Sequence, residues 1–315
     1  MLLGFDIGGT KCAVITGGFE NGQIEIYEKR KIATDLSVNP EEMIARLVSL
    51  ADEMVRDKKV DSIGISCGGP LDSSRGIILG PPNLIGWECV PITDIIGKHF
   101  GVPTYLQNDA NACALAEWKF GAGVGCKNMV FMTFGTGLGA GLILDGKLYT
   151  GTNDNAGECG HIRLDRFGPV GYGKAGSFEG FCSGNGLAQL GFTKAIEASQ
   201  QGKCPMYYKI GMKPDDVSAK TIADAADAGD EVALDVYGTC AEYLGRGLSV
   251  LIDILNPERI VIGSVYARSE NLLRDGAVRV IEKEALPVAA ACCEVVPAKL
   301  GEQIGDYAAL ATALI

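Results

Sequence analysis

Hydrophobic positions along the chain fall into short runs separated by turns rich in Gly, Thr and Asn. Leu2–Ile7 and residues 12–16 are apolar runs of strand length, joined by Gly8-Gly9-Thr10. Gly17-Gly18 and Asn21-Gly22 are turn signals before a third strand at 23–28, so a β-meander precedes the first helix. Asn39, Pro40 and Glu42 supply the N-cap, the first-turn proline and the acid that open that helix. Met43, Ile44, Leu47, Leu50, Ala51, Met54 and Val55 form its apolar stripe. A buried strand at 61–66 feeds Gly68-Gly69-Pro70. A strand at 104–106 feeds a helix at 110–120, and 121–125 is a flexible break.

The opening pattern then returns. Thr133-Phe134-Gly135-Thr136-Gly137-Leu138-Gly139 joins two apolar runs, as Phe5-Asp6-Ile7-Gly8-Gly9-Thr10-Lys11 does about 130 residues earlier. Residues 153–186 read as a Gly-rich loop, long enough to suggest function. Helices near 218–228 and 230–253 follow, then a buried strand at Arg259–Ile262 ending in Gly263-Ser264. A strand at Glu294–Pro297 and a closing helix at 306–315 complete the chain. Two halves, each led by a hairpin, predict a duplicated α/β fold with a ligand cleft between the halves.

Composition narrows the partners. The 315 residues carry a net charge of -11, with no basic run, which disfavours nucleic acid. Eleven cysteines are scattered without a CxxC pair and read as reduced cytosolic thiols. The N-terminus lacks a signal-peptide pattern, and the longest uncharged stretch, 128–144, is too short and Gly-rich to span a membrane. The expectation is a cytoplasmic protein.

The two Gly/Thr turns look like two halves of one phosphate site, because glycines let backbone amides approach an anion. Asp6 beside the first turn would repel phosphate unless Mg2+ sits between them. No Walker A pattern occurs, and no GxGxxG opens a helix. Asn108-Asp109 opens a helix, which an ordinary N-cap would explain. With two phosphate turns present, Asp109 becomes a candidate general base for a hydroxyl nucleophile. Asn83, Asn108, Glu158, His161 and Glu179 offer the donors and acceptors that vicinal hydroxyls require, although loop Glu and His side chains are usually just solvated.

DIGGTK at 6–11, GPL at 69–71, PNLIGW at 82–87, QNDANACALAE at 107–117, TFGTGLGAG at 133–141, GECGH at 157–161 and EGFCSG at 179–184 resemble, in order, the ROK (repressor, open reading frame, kinase) sugar kinases. The resemblance runs nearly end to end. It implies an actin-like, hexokinase-like (ribonuclease H-like) ATPase fold with a smaller domain, 1–108 plus 298–315, and a larger one, 109–297. It implies that Asp109 is the base at a hexose 6-hydroxyl and that Asp6 positions Mg2+ through water. Gly8, Gly9, Thr10, Lys11, Thr133, Gly135, Thr136 and Gly137 would line the ATP phosphates, with Gly263 and Ser264 on the adenosine side. Gly69, Asn83, Asn108, Glu158, His161 and Glu179 would bind the sugar. A homodimer is implied likewise.

One departure stands out. Family members hold the loop after the GH motif with zinc, through that His and three cysteines in CxCGxxGC. The three cysteine positions are Val170, Tyr172 and Ser177 here. No zinc is expected; packing of Val170, Tyr172, Phe178 and Phe181 would hold the loop instead. Cys159, His161 and Cys182 form an alternative set, but three ligands on an irregular spacing make a poor structural site. Glucose is the first expectation for the sugar; fructose, mannose, N-acetylmannosamine and N-acetylglucosamine stay open. A sugar-sensing regulator is a rival, disfavoured by a DIGGTK that begins at residue 6 with no room for a DNA-binding module ahead of it. An iron–sulfur activator ATPase is another, with no cysteine site to specify it.

Overall fold

The computed structural model describes every residue except Asp57. Contacts divide the chain into two units. Met1–Lys127, Gly141–Ala156 and Lys299–Ile315 form the first; Asn128–Ala140 and Gly157–Ala298 form the second. The division falls later than the 108/109 boundary expected from the sequence, because the helix after residue 108 packs on the C-terminal helix of its own unit.

The first unit opens with the expected meander, β1 (Leu2–Ile7), β2 (Lys11–Glu20) and β3 (Gln23–Ala33). Helix α1 (Pro40–Val55) is capped by Asn39, whose side chain accepts from Glu42 N at 2.8 Å. After β4 (Ser62–Cys67), a small hairpin of β5 (Leu71–Asp72) and β6 (Ile77–Ile78) leads to α2 (Ile92–Phe100). Then come β7 (Thr104–Asn108) and α3 (Asp109–Phe120). The sheet order is β3-β2-β1-β4-β7, with β1, β4 and β7 parallel.

Odd and even positions of these strands face different neighbours, as the period of two demands. Leu3, Phe5, Ile7, Ile63, Ile65 and Cys67 join Met43, Ile44, Leu47 and Ala51 of α1 in the apolar core. On the opposite face of β1 and β4, Gly4 and Gly64 receive the C-terminal helix.

The second half repeats the plan. Strands β8 (Met129–Phe134), β9 (Leu138–Leu144) and β10 (Lys147–Tyr149) precede a small hairpin, β11 (Val170–Gly171) and β12 (Lys174–Ala175). Helices α4 (Phe178–Phe181), α5 (Gly184–Gln200), α6 (Ala219–Asp227) and α7 (Glu231–Leu255) follow. Strand β13 (Arg259–Ile262), α8 (Val265–Arg268), α9 (Glu270–Glu284), α10 (Pro287–Ala290) and β14 (Glu294–Pro297) complete this part. Helix α11 (Ile304–Thr312) returns to the first unit. The second sheet has the order β10-β9-β8-β13-β14, and the unit division falls inside β9. Both orders read third, second and first strand of the repeat and then two parallel strands, which is the duplication expected from the sequence.

Candidate functional site

In the first unit the parallel strands end level with one another. Ile7 is in register with Cys67, and Cys67 with Asn108. The residues that leave these ends are Gly8-Gly9, Gly68-Gly69 and Asp109, at the carboxyl edge where open α/β sheets take ligands. A Cβ on Gly9 would lie 2.2 Å from Asn83 O, so only glycine lets the first turn rest on the Asn83 loop. A Cβ on Gly69 would lie 3.2 Å from Asn108 Nδ2. Asp6, Gly8, Gly9, Gly69, Asn83, Asn108 and Asp109 therefore gather at one edge, with Thr10 and Lys11 exposed on the turn.

Asn108 is the N-cap of α3: its Oδ1 accepts from Ala110 N at 3.0 Å. Asp109 Oδ1 accepts from the same N–H at 2.8 Å, and its side chain stands exposed at the positive end of the helix. The first turn is tied down by Thr34, whose hydroxyl donates to Gly8 O at 2.6 Å and whose N–H donates to Thr10 O at 3.1 Å. Nothing near Thr34 in the sequence marks this role; it comes from the end of β3 reaching back to the turn.

Asp6 is half-buried, and its carboxyl is pushed up to about 6, first by burial and then by the charge of Asp109. Lys29 opposes that shift and Asp306 adds to it. Crowded carboxylates with only oxygen donors fit a hard divalent cation such as Mg2+. No group of three or more His, Cys, Asp or Glu side chains among the described residues could hold a metal alone. A cation here would take one or two carboxylates and complete its shell with water and phosphate oxygens, the usual habit of Mg2+.

In the second unit, the turn after β8 is closed by Gly135 N donating to Gly137 O at 3.0 Å. Gly184 N, at the start of α5, donates to Gly135 O at 2.8 Å. Glu179 is fixed against this turn: its Oε2 accepts from Leu138 N at 3.0 Å, and a Cβ on Gly137 would lie 2.7 Å from the same oxygen. Strand β13 ends beside β8, with Gly263 N donating to Met132 O at 2.9 Å. Ser264 follows at φ 56°, a conformation costly for a residue with a side chain. Its Oγ would lie 3.8 Å from a Cβ on Gly135, and Thr133 Oγ1 3.5 Å from it. A cavity of about 410 Å³ opens here, lined by Gly135, Thr136, Gly184 and Ser264 together with Asn185, Lys220 and Arg268. Motif reading missed the last three, which come from three separate helices, α5, α6 and α8. Glu158 is exposed and His161 half-buried, at the 3-10 turn Cys159–His161.

The loop from 161 to 182 is held differently from the expectation. Phe178 and Phe181 are buried, but Val170 is 46% exposed and Tyr172 73%. Both sit on a surface hairpin. The Gln189 amide grips Val170, accepting from its N–H at 3.0 Å and donating to its carbonyl at 2.9 Å. Phe181 stacks on Tyr243, centroids 3.5 Å apart, and the Tyr243 hydroxyl donates to Asp165 Oδ2 at 2.5 Å. Lys174 Nζ donates to His161 O at 2.7 Å, and Tyr172 meets the His161 ring edge to face. In the alternative metal set, the Cys182 thiol donates instead to Cys240 O at 3.5 Å.

A family model described as "ROK family" matches residues 2–314. The chain belongs to the ROK family. This ROK chain is 34% identical over 310 residues to a glucokinase of Halalkalibacterium halodurans, covering 96% of this chain and 92% of that one. It matches the crystal structure of a ROK family glucokinase from Streptomyces griseus in complex with glucose and AMPPNP, with a TM-score of 0.77, 30% identity and 99% of both chains covered. It also matches a ROK family transcriptional regulator, a homologue of the Escherichia coli Mlc protein, with a TM-score of 0.86 and 27% identity. That match covers 99% of this chain and 78% of the regulator. The fold is thus the actin-like, hexokinase-like ATPase fold of the ROK sugar kinases. No helix among the described residues of this ROK protein is long and apolar enough to cross a membrane.

Proposed function

We propose that the protein is an ATP-dependent hexose kinase that transfers the γ-phosphoryl group to the 6-hydroxyl of glucose. The observation that carries this reading is the gathering of Asp6, Gly69, Asn83, Asn108 and Asp109 at the carboxyl edge of one parallel sheet. The likeness to a ROK glucokinase solved with glucose and AMPPNP supports the donor and the sugar.

In this reading Asp109 accepts the 6-hydroxyl proton as the oxygen attacks phosphorus; its carboxylate stands exposed at a helix start. Asn83 and Asn108 of the first unit orient the sugar hydroxyls; Glu158, His161 and Glu179, within the second unit, carry donors and acceptors of the same kind. Gly69 lets the sugar approach the backbone closely. The turn at 8–11 in the first unit and the turn at 133–137 in the second each offer N–H and hydroxyl donors of the kind that stabilise a loose, highly charged phosphoryl transition state. Asp6 would hold magnesium through water, and the ion would neutralise charge on the phosphate oxygens. The cavity beside Gly263 and Ser264 would take the adenosine. Exclusion of water keeps it from competing as acceptor.

A coupled ADP-release assay with Mg-ATP, run against hexoses and N-acetylhexosamines, tests the reading. Turnover on glucose that is lost in Asp109→Asn supports it. The TM-score of 0.86 to the regulator favours one second reading, a non-catalytic sugar sensor. Calorimetric glucose binding without turnover on any sugar would favour that one. A cytoplasmic homodimer belongs to the same proposal, and light scattering of the purified protein tests its oligomeric part.

A further inference from the structure

Helix α11 lies on the face of the first sheet that carries Asp6. Asp6 is opposite Ala13 and Ala13 opposite Lys31; one rung away Gly4 is opposite Ile15 and Ile15 opposite Lys29. Lys29 and Asp6 thus share a face. The helix comes close because that face is bare: a Cβ on Gly4 would lie 2.9 Å from Ala309 Cβ, and one on Gly64 2.1 Å from Ala309 O. This approach sets the start of α11 over the site. A Cβ on Gly305 would lie 3.4 Å from Asp6 Oδ2. The next residue, Asp306, is only 5% exposed and forms an ion pair with Lys29.

A buried ion pair contributes little net stability compared with apolar residues of the same volume, so stability alone does not account for it. Its effect on the neighbouring carboxylate is specific. Lys29 is a cation within reach of Asp6's field, and a cation free to turn towards Asp6 would compete with a metal for it. We propose that Asp306 is a positioning residue that engages Lys29 and so keeps the Asp6 carboxylate open to magnesium nucleotide. The inference rests on the kinase reading. Burial and Asp109 dominate the Asp6 environment, but Lys29 and Lys31 also act on it in one direction and Asp306 in the other.

The two partners are therefore expected to move metal affinity in opposite directions. The measurement is calorimetric binding of ADP with and without Mg2+, and the readout is the ratio of the two affinities. Asp306→Asn releases Lys29 and lowers that ratio by about three- to tenfold, the scale of one unit charge acting on a divalent ion in a water-like dielectric. Lys29→Met leaves an extra anion beside Asp6 and raises the ratio by a similar factor. A pair that only holds the fold would lower both, and equal or absent shifts overturn the proposal. If either single variant fails to fold, Lys29→Met/Asp306→Leu replaces the pair with apolar side chains. Its ratio should stay within about twofold of the parent, because no net charge is added near Asp6. A fall as large as that expected for Asp306→Asn overturns the proposal. If the parent protein shows no Mg2+-dependent ADP binding, the kinase reading itself fails.

Discussion

Replacing Asp6 with Asn should stabilise the protein while disabling it. The Asp6 carboxyl moves from 3.8 to about 6 on folding, driven by burial and by the charge of Asp109. The folded state therefore holds its proton more tightly than the unfolded chain. Between about pH 4 and pH 6 the folded state carries more protons, so stability falls as pH rises through that window. At 1.36 kcal/mol per unit, a shift of this size amounts to about 3 kcal/mol at neutral pH as an upper bound. That shift is already net of the attraction to Lys29, and a half-buried Asn amide keeps part of the cost of burying a polar group, so the expected gain is about 1–3 kcal/mol above pH 7 and close to zero below about pH 4. That corresponds to a rise of several degrees in Tm, at roughly 2–4 °C per kcal/mol for a unit of this size. Both tryptophans, Trp87 and Trp118, lie in the same unit as Asp6, so their fluorescence during urea unfolding reports on it. Turnover should fall at least ~10²-fold in parallel, the scale on which preorganised electrostatic groups act. An Asn variant no more stable than the parent at pH 8, or one whose advantage persists unchanged at about pH 4, would refute the electrostatic account.

Asp109→Asn should lower kcat at least ~10²-fold with little change in sugar affinity, and retention of more than about a tenth of the turnover would remove Asp109 as the base. Gly9→Ala puts a methyl group 2.2 Å from Asn83 O. It should cost about 1–3 kcal/mol in urea unfolding and raise KM for the sugar through displaced Asn83. Tyr243→Ala removes the ring stacked on Phe181 and the hydroxyl held by Asp165. It should destabilise the second unit by about 2–3 kcal/mol. Sugar KM should rise more than kcat falls, and steady-state kinetics on the candidate hexoses read the difference.

What the sequence made legible were features that act over short distances. The meander of β1 to β3 and the cap at Asn39 are local, and so are the paired Gly/Thr turns, whose spacing announced the duplication. Helix α2 escaped notice because it is short, opens at Pro91 and contains Gly97. The start of α5 read as loop because Gly184-Asn185-Gly186 lacks helix formers, yet the Ser183 cap, accepting from Gly186 N at 2.9 Å, begins the helix there. Thr34, Gln189 and the Lys29–Asp306 pair were invisible because each acts across a register or a packing contact. Val170 and Tyr172 misled through their hydrophobicity: hairpin position, not side-chain character, decides their exposure. The contacts of the loop at 161–182 include the Gln189 amide on Val170 and the stack of Phe181 on Tyr243, and neither pairing is marked by a motif.

The bare glycine face beneath α11 also bears on how the chain is made. The first unit needs Lys299–Ile315 against strands that begin at residue 2, and the whole of Gly157–Ala298 lies between them in sequence. During synthesis from the N-terminus, the second unit has its own residues in hand while Gly4 and Gly64 still lack their cover. The half that carries Asp6 and Asp109 must therefore wait, with an unfinished sheet, for the last segment to emerge. A released chain truncated after Ala298 should show a protease-resistant second unit and a digestible first one.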